Sequence, residues 1–459
     1  MKRNRKNMGK SAYMMLMSVV MVLLLLLSCN DFLDITPTGK VIPKTLEEYR
    51  ALLTYEYKYM PKDRSLTVLR GDELTLSPTF TSDLDYDTYF DLWRWNDNAP
   101  ATTTTYYGWR RYYHAIYIAN YIIAHQQEIA HGTAAEVRQL VGEAYMMRAY
   151  HHFLLANLYA APYNQVDPVK TRGIPVMTVA DVDAMPRSSS LKAVYDQILS
   201  DIDAAGQLLN VEKWEIGKNY RFNTAAVHCL RARVNLYMGN WQAALDASKM
   251  VLDMNADLED FNSSDAKLPN LFTSKENILA LEPNMPADHA TIGRPSVEFI
   301  AGKYKSGDLR RTKYYRRVTS STYDLLKGGK DEFVCSFRTA EFYLIAAETC
   351  ARLGQAEAAI DFLSKLMEKR YNPTVCPTYL EAIRALSAEE LVEEILDERC
   401  RELAFAGHRL FGLRRTTMPE LTKTYKDESF RLSQGDQRYT LKFPSEAVEA
   451  NPEIEIWNE

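Results

Sequence analysis

Two stretches of the chain, NLYMGNWQAALDASKMVL (235–252) and CARLGQAEAAIDFLSKLM (350–367), carry one pattern twice. Gly239, Trp241, Ala244 and Leu245 match Gly354, Ala356, Ala359 and Ile360 in order and spacing. A glycine at that place closes a helix with positive φ, and the later alanine lets a second helix pack closely against the first. The pattern is the core of a tetratricopeptide helix hairpin. The copies lie 115 residues apart, where an uninterrupted array repeats about every 34, so the hairpins are separated by inserted chain.

Helical periodicity extends outward from both copies. Val137 to Tyr159 sets Leu140, Ala144, Met147, His151, Leu154 and Leu158 on one face, and a third, looser hairpin is expected to begin there. Leu191 to Leu209 follows a serine cluster, Arg187-Ser-Ser-Ser, suited to capping free N–H groups. Further helices are predicted over 223–238, 241–254, 338–353, 356–370 and 387–406. Between them, 255–277 and 282–322 are rich in Pro, Gly, Asn and charge without a sustained period, which predicts loops. Strand-like runs are short, Tyr439 to Phe443 among them. The fold class is therefore mostly α.

At the N-terminus a basic head (Lys2, Arg3, Arg5, Lys6, Lys10) precedes an apolar run from Ala12 to Leu27. A spanning helix wants about 20 apolar residues, and small Ser28 stands directly before Cys29, so 1–28 reads as a secretory signal peptide. Cleavage there makes Cys29 the first residue, placed as in a bacterial lipoprotein, where acyl chains hold the protein to a membrane. Of the 55 Lys plus Arg, these five leave with the head, so the mature body carries 50 against 60 Asp plus Glu. That acidic balance excludes nucleic acid as a partner, because phosphate binding needs clustered positive charge. Cys229, Cys335, Cys350, Cys376 and Cys400 form no C-x-x-C pair; in the helical patterns, small buried thiols are expected and no structural metal site.

At the level of motifs, the chain resembles the SusD/RagB-like nutrient-uptake lipoproteins of the Bacteroidetes outer membrane. CNDFLDITP, GEAYMMRAYHHFLLANLYAAPY, PRSSSLKAVYDQILSDIDAA, YRFNTAAVHCLRARVNLYMGNWQAAL, FRTAEFYLIAAETCARLGQAEAAIDFLSKL and EEILDERCRELAFAGHRLFGLRR keep that family's order from end to end. Ala406 and Gly412 depart from it, standing where the family commonly has glutamate and aspartate. The resemblance implies a SusD-like fold over 29–459, in which tetratricopeptide-like hairpins carry a loop-rich variable lobe with irregular segments around 60–108 and 255–335. It also implies a lipid-anchored cell-surface protein of the outer membrane that delivers oligosaccharide to a SusC-like, TonB-dependent transporter. A peptide cargo, as in RagB-like members, and a transporter-docking scaffold that touches no nutrient are the alternatives. Glu398, Arg399, Glu402 and Arg409 are expected to form a structural charge network.

No enzyme motif assembles: H-E-x-x-H, G-x-S-x-G and a Gly-rich phosphate loop are all missing, and His151 is expected to be packed. No catalytic residue and no cofactor is expected. Asp83-Leu84-Asp85-Tyr86-Asp87 begins like a calcium loop, but Thr88 and Arg94 occupy the sixth and twelfth positions, leaving at most an irregular calcium site. Aromatic residues crowd 86–113, and aromatic planes suit the C–H faces of pyranose rings. Trp109, Tyr113 and Tyr117 fit the core face of a helix. Trp93 and Trp95 alternate, so an extended segment would turn both one way, with Asn96 and Asp97 alongside; these four are the candidate ligand contacts. The resemblance adds the loop 285–304, with His289 and Arg294.

Overall fold

The computed structural model describes residues 42–76, 83–98, 100 and 104–456, with 83–87 described by backbone alone. Its long helices are α1 (Leu46–Lys58), α2 (Asp83–Trp93), α3 (Trp109–Ala124), α4 (Ala134–Tyr159), α5 (Leu191–Leu208), α6 (Thr224–Met238), α7 (Trp241–Met254), α8 (Thr339–Arg352), α9 (Ala356–Met367), α10 (Cys376–Arg384) and α11 (Ala388–Glu402). From α3 to α10 each packs against the next along the chain, α1 packs on α3, and α11 returns onto α8.

Local chemistry sets the boundaries. Thr45 with Glu48, Thr133 with Glu136 and Ser387 with Glu390 form capping boxes at α1, α4 and α11, each satisfying two otherwise orphaned N–H groups. Ser190, the last of the predicted serine cluster, accepts from the Ala193 N–H and starts α5. Gly239 and Gly354 adopt φ of +80° and +75°, so both quoted stretches turn from one helix into its partner as their glycines predict. The third hairpin is the pair α4 and α5. Trp109 is buried on α3, but its core neighbours are Tyr112 and Ile116, while Tyr113 and Tyr117 are half-buried.

Among the described residues sheet is confined to antiparallel pairs: β1 (Leu74–Leu76) with β3 (Gly293–Pro295), β2 (Asn277–Leu279) with β6 (Phe337–Arg338), β4 (Tyr315–Arg317) with β5 (Tyr323–Leu325), and β7 (Leu421–Tyr425) with β8 (Glu428–Leu432). Tyr439 to Phe443, read as strand-like from sequence, is instead the end of a short 3-10 turn followed by irregular chain. The five described cysteines are buried free thiols.

The helices enclose paired charge. Helix α8 is buried from Thr339 through Ala351, and it takes Glu341 and Glu348 inside with it. Arg233 of α6 reaches Glu341 at 2.6 Å, and Arg415 reaches Glu348 at 2.6 Å. The four charges expected to form one network divide among several. Glu398 pairs with Arg310 and Arg401, Glu402 with Arg310, Arg338 and Arg370, Arg399 with Glu341, and Arg409 with Asp72. Apart from Glu398–Arg401, three residues apart on α11, these pairs join segments distant in sequence, and a buried charge stripped of its partner costs several kcal/mol, roughly 3–5.

Candidate functional site

The side chains nominated in the segment 93–97 turn inward. Trp93 ends α2, and Trp95 sits two residues beyond it at φ +60°, so no extended segment aligns them. Each is 1% exposed, and the indole N–H groups donate to backbone carbonyls, Trp93 to Leu74 at 3.2 Å and Trp95 to Arg70 at 3.0 Å. Lys423, from β7, threads between them: its ammonium donates to the carbonyls of Leu69 and Trp93 and lies 4.1 Å from the Trp95 ring centroid. Burial pushes the Lys423 pKa well down.

The polar members of the segment are engaged as well. Arg70 grips Asp97 through two hydrogen bonds at 2.7 Å, and Asn96 donates to Asp91 at 2.9 Å. These four residues are held by partners within their own segment, Arg70, Leu74 and Asp91; a ring face that is already packed offers nothing to a sugar. The backbone at Asp83–Asp87 is helical, a geometry in which alternate carboxylates do not share a face. Their side chains lie outside the described residues, as does Cys29. Among the described residues no His, Cys, Asp or Glu cluster of metal-holding geometry occurs.

The second nominated loop divides. His289 is buried, its Nδ1 lies 2.8 Å from the Ser65 hydroxyl, and burial pushes its pKa down to about 4. It is a packed neutral histidine. Arg294 instead lies in β3, opposite Thr75 of β1, at the mouth of a cleft of about 460 Å³. Gly293 makes that pairing fit, since a Cβ there would stand 2.4 Å from the Thr75 carbonyl oxygen.

Three charged residues line the cleft. In the β4–β5 hairpin Arg316 stands directly across from Asp324 and donates to Oδ2 at 2.6 Å, while Arg294 donates to Oδ1. The Arg316 hydrogen bond, with Arg294 adding to it, holds the Asp324 carboxyl below the usual range despite partial burial. Leu74, Met285, Pro295, Leu325 and Phe405 supply apolar wall. Each guanidinium has five N–H donors, so fixed donors and a fixed acceptor stand side by side above an apolar surface. Arg316 and Asp324 were not among the residues nominated from sequence. Their only local signal is the hairpin TSSTYDL, and the pairing that brings Asp324 to Arg294 exists only in the fold.

Comparison with known proteins places this architecture. A family model described as starch-binding, associating with the outer membrane, matches residues 31–236, and the SusD family model matches 299–453. The chain belongs to the SusD/RagB-like family. A SusD-like protein, P38, of Formosa agariphila is 23% identical over 85% of this chain and 88% of its own length. Among solved structures, a SusD superfamily protein from Bacteroides fragilis superposes with a TM-score of 0.74 at 22% identity, over 91% of this chain and 100% of that one. A laminarin-binding SusD-like protein superposes with a TM-score of 0.59 at 17% identity, over 82% and 92%. This SusD-family chain thus shares the fold of both. No helix among its described residues is long and apolar enough to cross a membrane.

Proposed function

We propose that this protein captures an oligosaccharide at the Arg294–Asp324–Arg316 cleft and releases it unchanged to a SusC-like, TonB-dependent transporter, while lipid on Cys29 holds it at the cell surface. The observation that carries the reading is the fork of two guanidiniums on one carboxylate above an apolar wall. Vicinal hydroxyls need adjacent donors and acceptors, and pyranose C–H faces need apolar surface. The starch-binding description of the matching family model and the laminarin-binding neighbour agree with that choice of cargo.

Binding without chemistry is supported by the surroundings of a serine–histidine contact nearby. Ser65 and His289 touch, yet they are 3% and 4% exposed, and the serine hydroxyl also reaches Met285 Sδ. A reacting carbonyl has no room beside them.

Isothermal titration of the mature protein with laminarin- and starch-derived oligosaccharides and with mixed peptides tests the reading. Saccharide binding with no product on prolonged incubation is the expected result. Peptide binding alone, or saccharide cleavage, would overturn it. Co-purification of a TonB-dependent barrel with the detergent-extracted protein tests the partnership.

A further inference from the structure

A second cleft, about 810 Å³, lies elsewhere, and it shares no wall residue with the first. It opens between the loop ahead of α6 and the chain that follows α7, walled by Glu212–Ile216, Asn219, Asn223, Met254–Asn255, Thr273–Lys275 and Asn277–Ile278. Clefts that hold small molecules run to roughly 300–1,000 Å³.

Its wall includes an indole held from behind. The Arg221 guanidinium lies 3.8 Å from the Trp214 ring centroid, and Arg221 is itself fixed by Glu143 at 2.8 Å. The indole N–H donates to the Phe222 carbonyl at 3.1 Å. Trp214 borders the cleft and Arg221 does not, so the ring is anchored on its protein side and half-exposed on the other. A ring fixed this way binds without first losing rotamer freedom.

A second wall residue carries an unsatisfied acceptor. Asn277 is 9% exposed, and its side-chain N–H groups donate to the carbonyls of Leu271 and Val334. Its Oδ1 is left without a partner, in a residue that lines the cleft. A buried amide oxygen with no partner costs about 1–3 kcal/mol, and this one lies enclosed just behind the cleft wall. Asn219, Asn223 and Asn255 add fixed amides, each bonded to backbone.

Charge decides the ligand class. Glu212, Glu215, Asp257, Glu259 and Asp265 are interspersed with Lys213, Lys267 and Lys275, a mixed wall that rejects a polyanion and presents no run of one sign to a polycation. We infer that this cleft is a second saccharide-binding site, in which a neutral sugar ring stacks on Trp214 and its hydroxyls meet the polar wall around Asn277. The inference rests on a glycan being the cargo, and it adds to the cleft at Asp324 a holding site at the edge of the scaffold, here the scaffold site, where 212–223 meets the lobe segment from 255 to 278.

The test is titration of the mature protein and two variants with neutral laminarin- and starch-derived oligosaccharides, alongside hydrogen exchange of the unmodified protein. Two equivalents should bind, Asp324→Ala retaining the scaffold site and Trp214→Ala weakening it roughly tenfold, the loss of one aromatic contact. Amides of 212–219 and 273–278 should gain protection in the unmodified protein, a readout that needs no variant to fold. Binding by Trp214→Ala equal to that of the unmodified protein, or no added protection in these segments, overturns this site and leaves the lobe reading standing. If Trp214→Ala abolishes all binding and Asp324→Ala changes nothing, the scaffold site stands and the lobe reading falls. No saccharide bound by the unmodified protein overturns both.

Discussion

Arg370 and Glu402 face each other through two hydrogen bonds at 3.0 Å, fully buried, with Arg338 and Arg310 reaching the same carboxylate at 2.6 and 3.0 Å. Burial alone would raise the Glu402 pKa; the guanidiniums, Arg370 foremost, outweigh it and hold the carboxyl well below its ordinary value. Glu402→Ala leaves three arginines facing one another without their shared anion. It should lower unfolding free energy by about 3–5 kcal/mol, read as a shifted urea midpoint. A change under about 1 kcal/mol would mean that the network is not what ties α11 to the loops around 276 and 310.

The opposite sign is expected at Glu73. Burial pushes its carboxyl up to about 7, with Asp72 adding while the Phe405 N–H, Arg409 and Lys327 oppose. Its Oε1 accepts from Phe405, and its Oε2 has no partner among the described residues. Folding therefore favours the protonated acid, and stability is lost as pH rises from the unfolded value, near 4.5, through about 7. Glu73→Gln keeps the acceptor and removes the charge. The variant should match the natural protein at pH 5 and exceed it at pH 8.5 by on the order of 1–3 kcal/mol, part of the gain being offset because Arg409 loses a countercharge. Denaturant unfolding at the two pH values checks this; an equal difference at both would contradict it.

Gly407 takes φ +69°, and a Cβ there would stand 2.4 Å from the Arg64 carbonyl oxygen. Gly407→Ala must move a backbone that also positions Ala406, whose carbonyl accepts from Arg64 at 2.9 Å. The left-handed conformation alone costs about 1–2 kcal/mol, and the contact adds to it. A melting temperature lowered by several degrees is expected.

Trp95→Ala should act on stability. Removing a core indole costs about 3–5 kcal/mol, and in folded protein the lobe cleft should keep its saccharide affinity. Affinity lost at unchanged stability would restore Trp95 as a ligand contact.

That last case shows where the sequence ceased to be legible. Hairpins were readable because glycine termination, alanine contact and capping serines act within a few residues, as Gly239, Gly354 and Ser190 demonstrate. Trp93 and Trp95 were misread because alternation implies a shared face only in a strand, and α2 runs up to Trp93. What fills their rings comes from far along the chain: Lys423, and for Trp93 also Tyr425 and Phe430 of the β7–β8 hairpin. The lobe cleft was half visible, through Arg294. Its partner Asp324 belongs to a separate hairpin that only tertiary pairing brings near.

The central claim is tested most directly by one titration: laminarin-derived oligosaccharide into the mature protein and into Arg294→Ala/Asp324→Ala, both checked for equal melting temperature. The account predicts heat of binding in the natural protein, loss of the lobe-site component in the double variant, and unaltered saccharide recovered from the cell. Identical isotherms for the two proteins would contradict it.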